Sequence, residues 1–267
     1  MTIRLREIIE TVETIAPPEY AAEWDNSGLQ IGDPHREVRA ILVALDITAP
    51  VVTEAEAKKA NLIITHHPLF FKPIRRLLTA TGTGSLVQRL MEGGISVYAA
   101  HTNLDAVAGG VNRPIAEALG MTRWTPLQRI PSESTEGFGG LGALEKPRSL
   151  ASLVADLKKK LKLRWIRQVG SPKGTVRRIA FCGGSGASLF PEVLRAKPDL
   201  FITGDIKYHD AINYMTEGIP VLDIGHFGSE QGIRRVLAGK IRQALQKAGS
   251  PVPVHTARSE RDPFRSV

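Results

Sequence analysis

The order of apolar and polar residues predicts that helices and strands alternate along the first half of the chain. Residues 3–15 place apolar side chains three and four positions apart, which is the spacing of an amphipathic helix. Short apolar runs predict buried strands at residues 40–45, 62–65 and 95–100. Further helices are predicted at residues 49–60, 85–92 and 112–119. Strands alternating with helices in this way favour parallel pairing through βαβ crossovers.

The second half of the chain repeats the alternation. Strands are predicted at residues 178–182, 199–203 and 220–224, and helices at residues 188–196, 210–217 and 229–247. The sequence Gly-Gly-Ser-Gly at 183–186 predicts a tight turn from strand to helix, and residues 251–256 predict an edge strand, where prolines are tolerated. The stretch 121–177, with a basic helix at 149–162, is expected to lead into this half.

Segments of the two halves match each other, LIITHHP with LFITGDIKYHD and GGISVYAAHTNLD with EGIPVLDIGHFGSE. We interpret this match as an internal duplication. The predicted fold class is therefore α/β, with two related lobes, each a largely parallel or mixed sheet flanked by helices. Residues 1–125 with 231–267 would form the first lobe and residues 126–230 the second.

Amino-acid composition limits the kind of hydrophobic core, the kinds of cysteine-based site and the cellular compartment that the protein can have. Of the 267 residues 42% are hydrophobic and only 6% aromatic, so the core must be mostly aliphatic. The single cysteine, Cys182, excludes an intrachain disulfide and a cysteine-based zinc site. The first residues lack the apolar stretch of a signal peptide, and no window approaches the ~20 apolar residues of a membrane span. We therefore expect a cytoplasmic protein with no membrane partner.

The net charge of +8 would attract phosphate-bearing molecules. The charges are dispersed, however, and the densest basic run, residues 158–164, reads as the solvated face of a helix. No aromatic residues interleave with it, as a groove for single-stranded nucleic acid would require. A nucleotide is therefore favoured over nucleic acid as the partner.

Candidate chemistry lies in short loops that follow the predicted strands, where ligands bind in open parallel sheets. Five of the seven histidines fall there, and only His35 and His255 do not. The five are joined by acidic residues in the same loops; the set is His66, His67, His101, Asp105, Asp205, His209, His226 and Glu230. Imidazole and carboxylate groups bind first-row divalent metals without a thiolate. Consecutive strand positions point to opposite faces, so His66 and His67 would suit two ions better than one.

Each loop also has a purely structural interpretation. His66-His67-Pro68 alone can be a turn at a strand end, and His101 can be a core histidine bonded to the backbone. Asp205 can cap a helix, and Ser229 can be the N-cap of a helix entered from Gly225. The glycine turn at 183–186 lacks the lysine and spacing of a P-loop, although it could hold a phosphate. The coincidence of several such loops favours a metal site.

The segments EWDNSGLQIG, LIITHHPLFF, YAAHTNLDAVAGGVN, TGDIKYHDA, DIGHFGSE and ERDPF resemble the NGG-interacting-factor-like family, often labelled GTP cyclohydrolase I type 2 homologues. The resemblance runs from about residue 3 to residue 264. It implies an α/β protein that binds two metal ions and assembles into a toroidal homohexamer. It also implies that His66, His67, Asp105, His226 and Glu230 are the metal ligands, with His101, Asp205 and His209 lining the pocket beside them.

These observations predict a metal-dependent hydrolase that acts on a nucleotide or a related phosphorylated small molecule. His101 or His209 would move protons, since an imidazole with a near-neutral pKa suits that role. The two divalent ions could be zinc, iron, manganese or nickel, because a set of histidines and carboxylates accepts all four. The alternative is a metal-binding ring without turnover that serves as a scaffold, a regulator or a nucleic-acid clamp.

Overall fold

The computed structural model of the protein describes residues 3–130 and 135–265. Its α-helices, numbered in chain order, are α1 (Leu5–Ile15), α2 (Ala49–Ala57), α3 (Gly82–Glu92), α4 (Thr102–Ala106), α5 (Asn112–Leu119), α6 (Leu150–Leu161), α7 (Phe190–Ala196), α8 (Tyr208–Thr216), α9 (His226–Glu230) and α10 (Ile233–Lys247). Its strands are β1 (Gly28–Ile31), β2 (Ile41–Ala44), β3 (Leu62–Thr65), β4 (Ser96–Ala99), β5 (Trp124–Thr125), β6 (Gln128–Arg129), β7 (Gly137–Phe138), β8 (Gly140–Arg148), β9 (Arg167–Val169), β10 (Val176–Ser185), β11 (Leu200–Gly204), β12 (Val221–Asp223) and β13 (Val254–Thr256). The fold is mixed α/β with sheets flanked by helices, which confirms the predicted fold class.

The chain forms two compact units. Within the described residues the first unit comprises residues 3–104 and 233–261, and the second comprises the rest. The first unit has a five-stranded sheet in the order β1-β4-β3-β2-β13. Strands β13, β2, β3 and β4 run parallel, and β1 pairs antiparallel with β4. Strand β13 lies at the edge of the sheet, as predicted from Pro251 and Pro253 just before it.

The parallel strands of the first unit are buried on both faces. Leu42 and Ala44 of β2 lie in one core with Val51 and Val52 of α2. Ile41 and the other alternate residues of β2 are also fully buried, and α10 packs against this strand. Because successive side chains of a strand point to opposite faces, helices on both sides give β2 and β3 their continuous apolar sequences.

The second unit has a six-stranded sheet in the order β5-β8-β10-β11-β12-β9. Strands β10, β11 and β12 are parallel, and β8 and β9 pair antiparallel with them. Leu200 and Ile202 of β11 pack in the core that contains α5 and α6. Phe201, between them in sequence, packs on the other side with Val193 of α7 and Tyr214 of α8. The internal duplication of the two halves stays a prediction.

Two predicted elements differ from the structure, and one strand was not predicted. Residues 183–185 do not form a tight turn but continue β10, because Ser185 pairs with Gly204 of β11. The backbone nitrogens of Gly183 and Gly184 donate hydrogen bonds to Asn112 Oδ1 and Ser229 Oγ. The single helix predicted at 229–247 is two helices, α9 and α10, and α9 begins at His226 rather than after a Ser229 cap. Strand β8 was not predicted because its sequence contains glycines, which have a low β-propensity. Glycine is needed at position 140 because a Cβ atom there would lie 2.4 Å from the ring of Phe181.

Candidate metal centre

Three histidines converge at one end of the parallel strands of the first unit. Strand β3 leads directly into His66 and His67, and the neighbouring parallel strand β4 leads into His101. The ring centroid of His66 lies 4.8 Å from that of His67 and 5.2 Å from that of His101. One ring nitrogen of each histidine lies within 4.8 Å of the others, so the three side chains could hold a metal ion. His66 and His67 follow β3, so the alternation of strand side chains does not separate them.

Each of these histidines has its Nδ1 atom beside an oxygen acceptor. His66 Nδ1 lies 2.9 Å from the backbone oxygen of Ala100. His67 Nδ1 lies 2.9 Å from Asp46 Oδ1, and His101 Nδ1 lies 2.7 Å from Asp25 Oδ1.

These partners decide the tautomer of the rings. A backbone carbonyl and an ionised carboxylate can only accept hydrogen bonds, so each Nδ1 carries the hydrogen and donates it. A neutral imidazole then has its lone pair on Nε2. Metal-binding histidines in proteins show the same arrangement, in which one ring nitrogen donates to an oxygen and the other binds the ion. The donor set and its orientation therefore fit a divalent metal ion.

Asp25 is the most extensively hydrogen-bonded of these orienting groups. Its carboxylate also accepts hydrogen bonds from Ser27 Oγ at 2.7 Å and from the backbone nitrogen and the hydroxyl of Thr102 at 3.0 and 2.5 Å. Burial acts to raise the pKa of Asp25, but the hydrogen bonds from His101, Thr102 and Ser27 lower it more, and the pKa lies well below its usual range. Asp25 is thus a fixed anion behind His101.

A second group of ligand-type side chains lies in the second unit. His226 and Glu230 are four residues apart on α9, and His226 Nε2 lies 3.1 Å from Glu230 Oε2. His226 Nδ1 lies 2.7 Å from Asp205 Oδ2, so both ring nitrogens of His226 lie beside carboxylate oxygens. Asp205 is held in a left-handed conformation, with φ of 56°, directly after β11.

Asp105 lies near Glu230 within the second unit. One carboxylate oxygen of each lies within 4.8 Å of the other. Burial raises the pKa of the neighbouring thiol of Cys182, and the negative charges of Asp105 and Glu230 raise it further. Two carboxylates this close repel each other, and a cation between them would relieve that repulsion. This is a second arrangement that suits a metal ion.

Gly184 of β10 makes room for this carboxylate pair. Its φ is +66°, and a Cβ atom there would lie 2.2 Å from Glu230 Oε1 and 3.5 Å from His226 Nε2. Its backbone nitrogen donates to Ser229 Oγ at 2.9 Å, on the same helix α9. Glycine is required at this position both by the backbone conformation and by the approach of Glu230. The glycine segment is therefore a wall of the candidate site rather than a phosphate turn.

The predicted residues thus fall into two groups, each described within its own unit. His66, His67 and His101 come together in the first, and Asp105, His226, Glu230 and Asp205 in the second. His209 lies exposed on α8, with its ring centroid 5.3 Å from that of Tyr208. Sequence reasoning missed Asp25, Asp46 and Gly184. The orienting acids lie in loops distant in sequence from their histidines, and no spacing rule connects them.

Comparison with known proteins identifies the family. The family model described as Duf34/NIF3 (NGG1p interacting factor 3) matches residues 3–263. The chain belongs to this family. A protein of Clostridium perfringens named GTP cyclohydrolase 1 type 2 homolog is 34% identical over 265 residues, 99% of this chain and 100% of that protein. The Protein NIF3 homolog of Schizosaccharomyces pombe is 29% identical over 271 residues, 97% of this chain and 96% of that protein.

A solved structure agrees with this membership in the NIF3 family. The crystal structure of a hypothetical protein of Staphylococcus aureus superposes with a TM-score of 0.92 and 29% identity, covering 100% of both chains. These findings confirm the resemblance noted in the sequence. No helix in the described part of this family member has the length and apolar character needed to cross a bilayer.

Proposed function

We propose that this NIF3-family protein is a metal-dependent hydrolase acting on a nucleotide or a related phosphorylated small molecule. Two divalent ions would be held by His66, His67, Asp105, His226 and Glu230. The observation that supports the proposal is the orientation of the histidines in the first unit: Nδ1 of His66 and Nδ1 of His67 each face an oxygen acceptor, which leaves Nε2 as the ligand atom. Core histidines also bond one ring nitrogen, so the proposal further relies on the clustering of three histidines: one ring nitrogen of each of His66, His67 and His101 lies within 4.8 Å of the others.

The donor set determines the chemistry that metal ions would supply. Three imidazoles and two carboxylates suit zinc, iron, manganese or nickel. Bound divalent ions would polarise a substrate oxygen and favour the ionisation of water, the two requirements of hydrolysis near neutral pH. The carboxylates of Asp105 and Glu230, with one oxygen of each within 4.8 Å of the other, would both stabilise a bound cation.

The chain's own residues would orient the substrate and move protons. Asp25 fixes Nδ1 of His101 as the protonated nitrogen, so proton exchange with a substrate would take place at Nε2. The exposed rings of Trp24 and Phe71 lie 6.0 and 5.4 Å from the ring of His101 and would limit the access of water to it. His209 is the second candidate for proton transfer, on the exposed start of α8.

The nucleotide class of substrate rests on charge and on the names of relatives. The net charge of +8 favours an anionic substrate. Several relatives carry the name GTP cyclohydrolase 1 type 2 homolog, which makes GTP the first compound to test. If the guanine ring is opened, one water adds at the imidazole carbon and opens the ring to a formamide, and a second water hydrolyses the formamide to release formate.

The test combines metal analysis of the purified protein with a hydrolysis screen over nucleoside mono-, di- and triphosphates. The wild type should bind close to two divalent ions per chain and release product. The double variant His66→Ala, His67→Ala should lose bound metal and turnover together. His35→Ala is the matched control, because His35 is an exposed histidine outside both groups. Full metal loading without turnover of any nucleotide would contradict the hydrolase proposal.

That contrary outcome would favour the alternative function, a metal-binding ring that acts without catalysis. A nucleic-acid clamp would bind in a salt-dependent manner that does not require metal. A regulatory protein would bind GTP without consuming it. The toroidal homohexamer belongs to the same proposal, and light scattering should give a mass six times that of the 29.1 kDa chain.

A further inference from the structure

A cleft of about 400 Å³ lies beside His226 in the second unit. Its lining includes Trp165, Arg167, Phe264 and Arg265. The volume lies in the range of pockets that bind small molecules, roughly 300–1,000 Å³. None of these four side chains belongs to the metal-ligand set, so the cleft adds a separate binding surface next to a proposed ligand.

Two aromatic rings supply the apolar part of the cleft. The indole of Trp165 lies against Gly225, where a Cβ atom would be 3.0 Å from the ring. Gly225 has φ of 75°, so glycine permits both the turn before α9 and the approach of the indole. Phe264 is 65% exposed although its backbone nitrogen is fixed by a 2.9 Å hydrogen bond to Asp262 Oδ1. A large apolar ring held at a cleft and left open to solvent suits contact with a planar ligand.

Positive charge lies next to these rings. Arg265 makes no hydrogen bond or ion pair with the residues that the structure describes, and it is exposed. Arg167 has its guanidinium 5.9 Å from the Trp165 ring centroid and donates through Nη2 to Asp223 and to the backbone oxygen of Ile206. This anchors Arg167 at the cleft while its side chain remains 61% exposed.

Two acidic residues also line the cleft, and neither forms an ion pair with Arg265 in the described part of the chain. Asp205 accepts a hydrogen bond from His226 Nδ1, and Asp262 accepts one from the backbone nitrogen of Phe264. Each carboxylate is therefore engaged with a neighbouring group of its own. Arg265 is left as the cation best placed to meet an anion, and guanidinium groups bind phosphate through paired hydrogen bonds.

We propose that this cleft binds the base and phosphate of a nucleoside phosphate, with the base on Trp165 and Phe264 and the phosphate at Arg265 and Arg167. The inference rests on the proposed function, because His226 is at once a wall of the cleft and a proposed metal ligand. It names the residues that would recognise the substrate of that site. Aromatic stacking and a charged hydrogen bond are independent interactions, so each can be removed separately.

The experiment measures binding by calorimetry with metal-free and metal-loaded protein. The ligands are a nucleoside monophosphate, the nucleoside without phosphate, and ribose 5-phosphate without base. Phe264→Ala should weaken the nucleotide and the nucleoside about 5- to 150-fold, the loss of one stacking contact, and leave ribose 5-phosphate unchanged. Arg265→Ala should weaken the nucleotide and ribose 5-phosphate about 10- to 150-fold and leave the nucleoside unchanged.

Arg195→Ala is the matched control, since Arg195 is an exposed arginine paired with Glu192 away from the cleft. Both test positions are exposed, so the variants should unfold at the wild-type temperature. Nucleotide affinity unaffected by both variants, or no nucleotide binding in either metal state, would overturn the inference. Binding with the expected pattern but without turnover would reject only the hydrolase proposal. Turnover with an unchanged KM in both variants would reject only the cleft assignment.

Discussion

The carboxylate of Asp25 and Nδ1 of His101 lie 2.7 Å apart, although 76 residues separate them in the sequence. The same relation recurs between Asp205 and His226, at 2.7 Å, and between Asp46 and His67, at 2.9 Å. Three carboxylates therefore orient three candidate ligand or catalytic histidines. An acid behind each imidazole also makes the ring a stronger donor to a cation.

Asp25→Asn should weaken the metal-dependent function of the site. Asparagine has an NH2 group in place of one carboxylate oxygen. If this group faces the backbone nitrogen of Thr102, which now donates to Asp25, two donors oppose each other and the hydrogen bond is lost. Loss of such an orienting carboxylate typically reduces activity about 10- to 100-fold. The rate and the pH profile of turnover should both change, because His101 is the proposed proton-transfer residue.

Asp199→Asn separates this positioning effect from a loss of stability. Asp199 accepts two backbone hydrogen bonds at 2.8 Å, from Arg177 and Arg178, so its variant should be destabilised without affecting His101. Urea denaturation of both variants gives the stability change. If Asp25→Asn and Asp199→Asn alter metal affinity and turnover equally, Asp25 has no positioning role.

Gly184→Ala should move Glu230 and weaken metal binding. The new Cβ would lie 2.2 Å from Glu230 Oε1, and the left-handed backbone adds a cost of about 1–2 kcal/mol for any residue with a side chain. The clash should add about 1–3 kcal/mol to the loss in the free energy of unfolding. Gly218→Ala is the matched control, since Gly218 has φ of +68° and nothing within 4 Å of a Cβ. Equal stability and metal affinity in the two variants would refute the crowding argument.

The sequence could predict the histidines but not the acids that orient them. His66 and His101 were recognisable because each follows a buried strand, and neighbouring parallel strands end at the same edge of a sheet. Asp25 lies in a loop before β1, where residues 21–27 have no helix or strand period. Its partner is set by tertiary folding, so no local pattern connects the two residues.

Strand β8 shows the same limit for the fold. Its glycines lower β-propensity, yet Gly140 lies against the Phe181 ring. A Cβ atom at Gly142 would lie 3.0 Å from Met121 Sδ. A residue with a side chain would not fit between these neighbours. The apolar strands β3 and β11 were predictable because their burial on both faces leaves a continuous aliphatic run.

Removal of metal should lower the stability of the wild-type protein. A ligand that binds only the folded state at 100 times its dissociation constant stabilises it by about 2.7 kcal/mol. Chelator treatment should therefore lower the thermal midpoint, and added zinc or manganese should restore it. The His66→Ala, His67→Ala variant should show no such response, whereas His35→Ala should respond like the wild type. An identical shift in the double variant would place metal binding elsewhere.

Glu54 should make the stability of the first unit depend on acid pH. Its Oε2 atom accepts backbone hydrogen bonds from Arg258 at 2.8 Å and Ser259 at 2.9 Å, which join α2 to the segment after β13. Burial acts to raise the pKa of Glu54, but these hydrogen bonds and Lys58 lower it below 4.5. The Glu54 carboxyl group thus binds its proton less tightly in the folded state than in the unfolded state. Its contribution to the free energy of unfolding is therefore present above pH 4.5 and is lost as the pH falls through the lowered pKa.

Glu54→Gln should therefore destabilise the protein at pH 7 by about 1 kcal/mol, which is less than the roughly 1.5–3 kcal/mol of a hydrogen bond to a charged group, because solvent screens part of the interaction. The variant and the wild type should converge in stability as pH falls below 4.5, because protonated Glu54 resembles the amide. Urea denaturation between pH 3 and 7 measures this difference. Glu19→Gln, at an exposed position, should run parallel to the wild type throughout. If the difference in the free energy of unfolding between Glu54→Gln and the wild type is the same at all pH values, the stabilisation comes from side-chain packing and not from the charge of Glu54.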